Sequence, residues 1–277
     1  MNEIEFLADE IFARYGAVTR ARGCFLYTKK TVRLTDMFQE GGRAILGWGG
    51  SAYTMLKNTL NRGIVGSFRT EILPQLEKGA SALLDGKTGG NPSRKVVVFR
   101  ETADITNEVP EAKIFRPWDF EKTDYSTIDA VVIEPPLPWS INSFSLLALK
   151  SCSQIKLDLD STKSFSALFL PPPIISGICR AIYDLIAAMK EREEKDFFIY
   201  DPVLTKYWTR KGPWLFPKVS REKYRDFLLH CLDLGIVISP IYDVPSIVPF
   251  GADRGVFTCL KNKPFDFDFA GGNGEKS

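Results

Sequence analysis

Three short, almost unbroken apolar runs constrain this chain more than any other feature of its sequence: VVVF at 96–99, AVVI at 130–133 and FSLLAL at 144–149. They lack the polar alternation of a strand with one solvated face, and they are too short for buried helices. Runs of this kind are strands covered on both faces, as in the largely parallel sheets of layered α/β proteins. The expected fold class is therefore α/β, with a mostly parallel sheet between helical layers.

Helical periodicity surrounds the runs. Ile4, Leu7, Ala8, Ile11, Phe12 and Tyr15 share one face of an opening helix that stops at Gly16. Ser51 is placed to cap a helix with Ala52, Met55, Leu56 and Leu60 inward, and 74–84 reads as a third. Pro171, Pro172 and Pro173 open the clearest one, with Ile174, Ile178, Ile182, Leu185, Ile186 and Met189 on one face. Segments 24–27 and 32–36 read as a hairpin, 197–200 as a strand, 224–234 as a helix and 236–239 as a strand after Gly235.

The chain has 277 residues, long enough for a large unit and a small one. The expected division is a helix, hairpin and glycine-rich segment at 1–62, an α/β domain at 63–190 and an α+β unit with a polar tail at 191–277. Lys plus Arg number 36 against 34 Asp plus Glu, so no global basic field recruits nucleic acid or an anionic membrane. Five scattered cysteines without a CxxC pair fit neither a disulfide framework nor a zinc site, and predict buried thiols in a reducing compartment. Glu3, Glu5, Asp9 and Glu10 stand where an export signal needs a basic start, and the apolar stretches fall short of the roughly 20 residues that span a bilayer. The expectation is a cytoplasmic protein with no membrane or metal partner.

Few side chains carry chemistry. A single histidine, His230, excludes a histidine dyad and a multi-histidine metal site. Asp85-Gly86-Lys87-Thr88 ends like a phosphate loop, but position 81 is Ser81 where such a loop needs glycine, so the segment predicts a helix stop. Glu134 follows the second buried run, at the carboxyl end where ligand sites of open α/β sheets gather. Lys150 follows the third, and a lysine there can lose enough proton affinity to form a Schiff base. The bland alternatives are a carboxylate fixed by hydrogen bonds in a proline loop and a solvated lysine. Arg20, Arg22, Arg33 and Arg43 bracket the glycine-rich 41–50 segment, where Arg43, Trp48 and Gly47 are candidates for holding a small carboxylate or phosphate.

The segments RARGCFLY at 20–27, RLTDMF at 33–38 and GWG at 47–49 together resemble the N-terminal signature of class III, pyridoxal-phosphate-dependent aminotransferases. AVVIEP at 130–135 resembles that family's strand ending in Glu-Pro, and YRDFLLHCLDLGIVISP at 224–240 its small-domain helix and strand. The resemblance covers about half of the chain and implies a trimmed transferase domain of three layers, a small α+β domain from the chain termini, and a symmetric homodimer with 20–60 in the interface. Three family features are unrecognised: a Ser-Gly-Ser/Thr-Glu-Ala phosphate segment between Leu84 and Val96, an Asp-Glu strand for the pyridine nitrogen, and a lysine-glycine-glycine segment, for which Asp158, Asp160 and Lys163 are poor stand-ins. The resulting expectation is an aminotransferase-like protein without pyridoxal phosphate, acting as a non-catalytic binding or structural homologue. The alternatives are a divergent active enzyme using Lys150 with Glu134, and a small-anion-binding module.

Overall fold

The computed structural model describes residues 2–66, 70–87, 89–119, 123–141, 143–155 and 168–267. Asp158, Asp160 and Lys163 lie outside them. The chain forms two compact units, one of Met1–Trp48, Trp118–Phe120 and Arg192–Ser277, the other of Gly49–Pro117 and Glu121–Glu191.

The first unit opens with helix α1 (Glu3–Tyr15). The Asn2 side chain accepts from the Ile4 N–H while Glu5 accepts from the Asn2 N–H, a reciprocal cap that satisfies two otherwise orphaned donors. Strands β1 (Val18–Arg22), β2 (Phe25–Thr28) and β3 (Arg33–Asp36) follow as an antiparallel meander. The sequence revealed only the second and third. Strand β1 is an exposed edge with the sequence VTRAR, so burial left no apolar pattern in it.

The second unit contains α2 (Ser51–Asn61), α3 (Ile72–Asp85), β4 (Arg94–Phe99), α4 (Thr102–Glu108), β5 (Lys113–Ile114), β6 (Ala130–Ile133), β7 (Ser145–Lys150) and α5 (Pro172–Glu191). Its sheet has the order β4-β7-β6-β5. The expectation of a mostly parallel sheet is corrected here: β5 and β6 are parallel, but β7 runs antiparallel to both β6 and β4. Burial on both faces is real, since Val131, Val132, Ile133, Leu146, Leu147 and Ala148 are all inaccessible. Direction was decided instead by the connection. A parallel return needs a crossover, usually a helix, whereas the short link after Ile133 is proline-rich (EPPLP) and reverses the chain.

One sheet face packs Ala130, Val132, Leu147 and Leu149 against Ile105 of α4. Helix α5 is long and apolar enough in composition to cross a bilayer, but Ile178, Ala181, Ile182 and Leu185 are buried within the fold. Helix α2 lies against α5, where Thr59 and Ser176 share a hydroxyl hydrogen bond of 2.9 Å. The Ser51 hydroxyl bonds Asp184 of α5 rather than capping α2, whose N-cap is Gly50.

Back in the first unit come α6 (Lys195–Phe198), α7 (Asp201–Leu204), β8 (Trp208–Lys211), β9 (Trp214–Pro217), α8 (Arg221–Asp233), β10 (Ile236–Val237), β11 (Ser246–Ile247) and α9 (Thr258–Asn262). Strand β10 pairs in parallel with β3, so segments from both ends of the chain share one sheet, while β11, β9 and β8 form another. The strand expected at 197–200 is helical. Phe197 and Tyr200, three apart, are buried while Phe198 is 48% exposed, which is a helical period, and Asp201-Pro202 starts the next turn.

Candidate functional site

In the second unit, Glu134 extends from the carboxyl end of β6 and is half-buried. Its Oε1 accepts from the Thr102 hydroxyl at 3.1 Å, and Thr102 Oγ1 lies 3.0 Å from Ser145 Oγ. Thr102 opens α4 after β4, while Ser145, 1% exposed, begins β7, so three elements meet at this edge. Tyr53 donates to the Pro138 carbonyl and ties the proline loop to α2. The arrangement can hold a ligand's hydroxyl or amine through the carboxylate.

Lys150 does not join it. The antiparallel register sets Ile133 opposite Leu146 but Ala130 opposite Leu149, so Lys150 lies beside Asp129, at the amino end of β6. Its N–H donates to the Asp129 carbonyl at 2.9 Å and its Nζ lies 3.8 Å from the Asp129 carboxylate. Glu134 and Lys150 are thus at opposite edges of the sheet, about 15 Å apart at the usual rise per strand residue. The pair proposed for Schiff-base chemistry does not converge, because β7 runs the other way.

The glycine-rich candidates belong to the first unit, with Arg43 buried and Gly47 and Trp48 half-buried. Arg43 is 3% exposed. Trp48 Nε1 donates to Asp36 Oδ2 at 2.7 Å. Asp36 Oδ1 accepts from the N–H groups of Phe38 and Gln39 at 3.0 and 2.9 Å. Complete burial raises the Asp36 carboxyl to about 6, against these hydrogen bonds, which favour the ionised form. The carboxylate anchors an unusual turn, in which Gln39, Glu40 and Gly41 have φ of 45°, 50° and 67°. Consecutive left-handed residues of this kind are strained and persist only when their surroundings fix them. Gly47, at φ 94°, approaches Gly23 so closely that a Cβ would come within 3.2 Å of the Gly23 Cα.

Sequence reasoning missed the start of α3. The phosphate segment was sought after Leu84, but α3 itself precedes β4, and Thr70-Glu71-Ile72 lead into it. The other expected features have structural partners: Gly86 is the left-handed C-cap of α3, and His230 Nε2 lies 2.9 Å from the Lys263 carbonyl.

No family model matches the chain. It is 26% identical to an uncharacterized protein of Treponema pallidum, over 89% of this chain and 93% of the relative. An uncharacterized protein of Borreliella burgdorferi is 23% identical over 90% and 93%. Among solved structures, ornithine aminotransferase from Plasmodium yoelii superposes with a TM-score of 0.62 at 12% identity, covering 94% of this chain and 97% of that one. Acetylornithine aminotransferase from Elizabethkingia anophelis gives 0.59 at 12%, with the same coverage. The fold is that of an aminotransferase-like α/β protein; these likenesses concern architecture.

Proposed function

We propose that this is an aminotransferase-like protein that has lost pyridoxal-phosphate-dependent transamination and acts in the cytoplasm as a non-catalytic, homodimeric binding homologue. The supporting observation is the reversal of β7, which holds Lys150 beside Asp129 and away from Glu134. A Schiff-base lysine, an acid for the ring nitrogen and a phosphate loop must share one cleft. Among the described residues, Lys150 and Glu134 do not fit that requirement.

Titration of the purified protein with pyridoxal phosphate tests the reading. No stoichiometric aldimine absorption is expected, and no lysine becomes trapped by borohydride. A trapped lysine with amino-donor turnover would establish the second reading, a divergent enzyme, which requires a lysine other than Lys150. Sedimentation at micromolar concentration tests the dimer; a monomer of the 31.2 kDa chain mass refutes it.

A further inference from the structure

We propose that the exposed face of the β1–β2–β3 sheet is a docking surface for single-stranded nucleic acid, a binding role that goes beyond the loss of transamination and that requires the proposed homodimer to make its contact through other residues of 20–60. The register sets Arg20 opposite Tyr27, Tyr27 opposite Arg33, and Arg22 opposite Phe25. Directly opposed residues share a face, so these three arginines and two aromatic rings lie together, while Ala21, Leu26 and the fully buried Leu34 take the other side. The arginines are exposed and the rings half-buried. The Arg33 guanidinium sits 4.4 Å from the Phe25 ring centre, and that of Arg20 sits 5.5 Å from Tyr27.

Two observations support this reading. Arg14, Arg94, Arg180, Arg210 and Arg221 each hold a carboxylate, whereas Arg20, Arg22 and Arg33, clustered on one sheet face, engage no ion pair or hydrogen bond through their side chains among the described residues. Residues 11–35 contain Arg14, Arg20, Arg22, Lys29, Lys30 and Arg33 and no Asp or Glu, a local excess that the near-neutral whole chain conceals. Lys29 is exposed beside the same hairpin turn.

The chemistry selects the partner. Unpaired guanidinium forks match phosphate oxygens bidentately. Guanidinium groups over half-buried rings place charge beside aromatic faces on which an unstacked base can stack, the arrangement by which sheet faces hold single strands. An anionic lipid surface also uses the charge and seats aromatic rings at its interface, so vesicles are the competing partner the test excludes; a duplex hides the base faces that the platform addresses.

The test is fluorescence anisotropy of the full chain with a labelled oligouridylate of about ten nucleotides, a length within single-strand site sizes. Affinity is expected to fall with salt, with a slope of about −2 for three phosphates at roughly −0.7 each. Each Arg→Ala substitution at 20, 22 or 33 should lower the slope by about 0.7, while Tyr27→Leu weakens binding at unchanged slope. Circular dichroism and the melting temperature establish that the variants are folded. Any of four results overturns the proposal: no binding at low salt, undiminished binding by the folded triple alanine variant, displacement of the oligonucleotide by polyglutamate as effective as by unlabelled RNA, or binding only to phosphatidylserine vesicles. The first and last are independent of pyridoxal phosphate titration, so this proposal and the loss of transamination fail separately.

Discussion

The Arg94 guanidinium, with no exposed surface, is joined to the Asp85 carboxylate by Nη2 to Oδ1 at 2.7 Å and by Nε to both oxygens at 3.0 and 3.1 Å. Its remaining donors reach the carbonyls of Ile128 at 3.0 Å and Tyr125 at 2.7 Å. One side chain thus ties the end of α3 and the start of β4 to the turn before β6. Removing one partner of a buried ion pair strands the other charge, so Asp85→Ala is expected to cost about 3–5 kcal/mol in urea unfolding. Burial raises the Asp85 carboxyl, but the Arg94 and Ser93 hydrogen bonds outweigh it and hold the group below its ordinary value. Its stabilisation is therefore complete above the unfolded value and lost as pH falls through the folded one. A variant as stable as the wild type at neutral pH would show that the pair does not hold these elements.

Asp36 predicts the opposite pH dependence. Its folded value, about 6, lies above the unfolded 3.8. Stability from the protonated form is complete below the unfolded value and declines as pH rises through about 6, by an amount on the order of 2–3 kcal/mol. Urea unfolding followed by tryptophan fluorescence should show that loss between pH ~4 and ~6. Asp36→Asn should remove this part of the slope; persistence of the full slope in the variant would place its origin elsewhere.

Much of the architecture was legible because burial writes itself into composition. The runs at 96–99, 130–133 and 144–149 are β4, β6 and β7 within a residue or two, and the α5 and α8 periodicities match their buried faces. Direction was not legible. An antiparallel and a parallel strand buried on both faces share a composition, and only the short proline link distinguished them. That error moved Lys150 across the sheet. The carboxylate roles of Asp36 and Asp85 were equally hidden, because their partners, the N–H groups of a strained turn and the side chain of Arg94, follow from three-dimensional contacts. Glu134 was locatable because its position at a strand end follows from the run itself.

Lys150→Ala separates a catalytic from a solvated lysine. The ion pair with Asp129 is long, 3.8 Å, and Asp129 is 53% exposed, so its loss should change stability by less than about 1 kcal/mol. Response to pyridoxal phosphate should be identical in wild type and variant by absorption titration. A cofactor signal present in the wild type and absent from the variant contradicts the edge-to-edge separation from Glu134.

Gly42 is a steric requirement of the strained turn. At φ 104° its Cβ would lie 2.8 Å from Trp214 Cη2, part of a ring packed with Ile45 and Ile247 in the first-unit core. Gly42→Ala combines overpacking with a disfavoured backbone and should cost about 2–4 kcal/mol in urea unfolding. Gly50→Ala is the control, since it also has positive φ, 101°, but no atom within 4 Å of the added Cβ; it should cost less, about 1–2 kcal/mol. Equal losses in the two variants would assign the effect to backbone strain alone.

The Thr102–Glu134–Ser145 contacts allow the structural and ligand-binding roles of Glu134 to be separated. Thr102→Val removes the hydroxyl shared by Glu134 Oε1 and the buried Ser145 Oγ, and leaving those groups unsatisfied should cost about 1–3 kcal/mol. Glu134→Gln retains a carbonyl oxygen that can accept from Thr102 and should cost less than about 1 kcal/mol. The same substitution removes the negative charge, so a cationic amine recognised at this edge would bind more weakly although the fold is intact. Thermal shift with amino acids and diamines reads this directly: a ligand at about 100 times its dissociation constant stabilises the wild type by about 2.7 kcal/mol, and the Gln variant should show a smaller shift. Equal shifts in both proteins would confine Glu134 to holding α4 against β6.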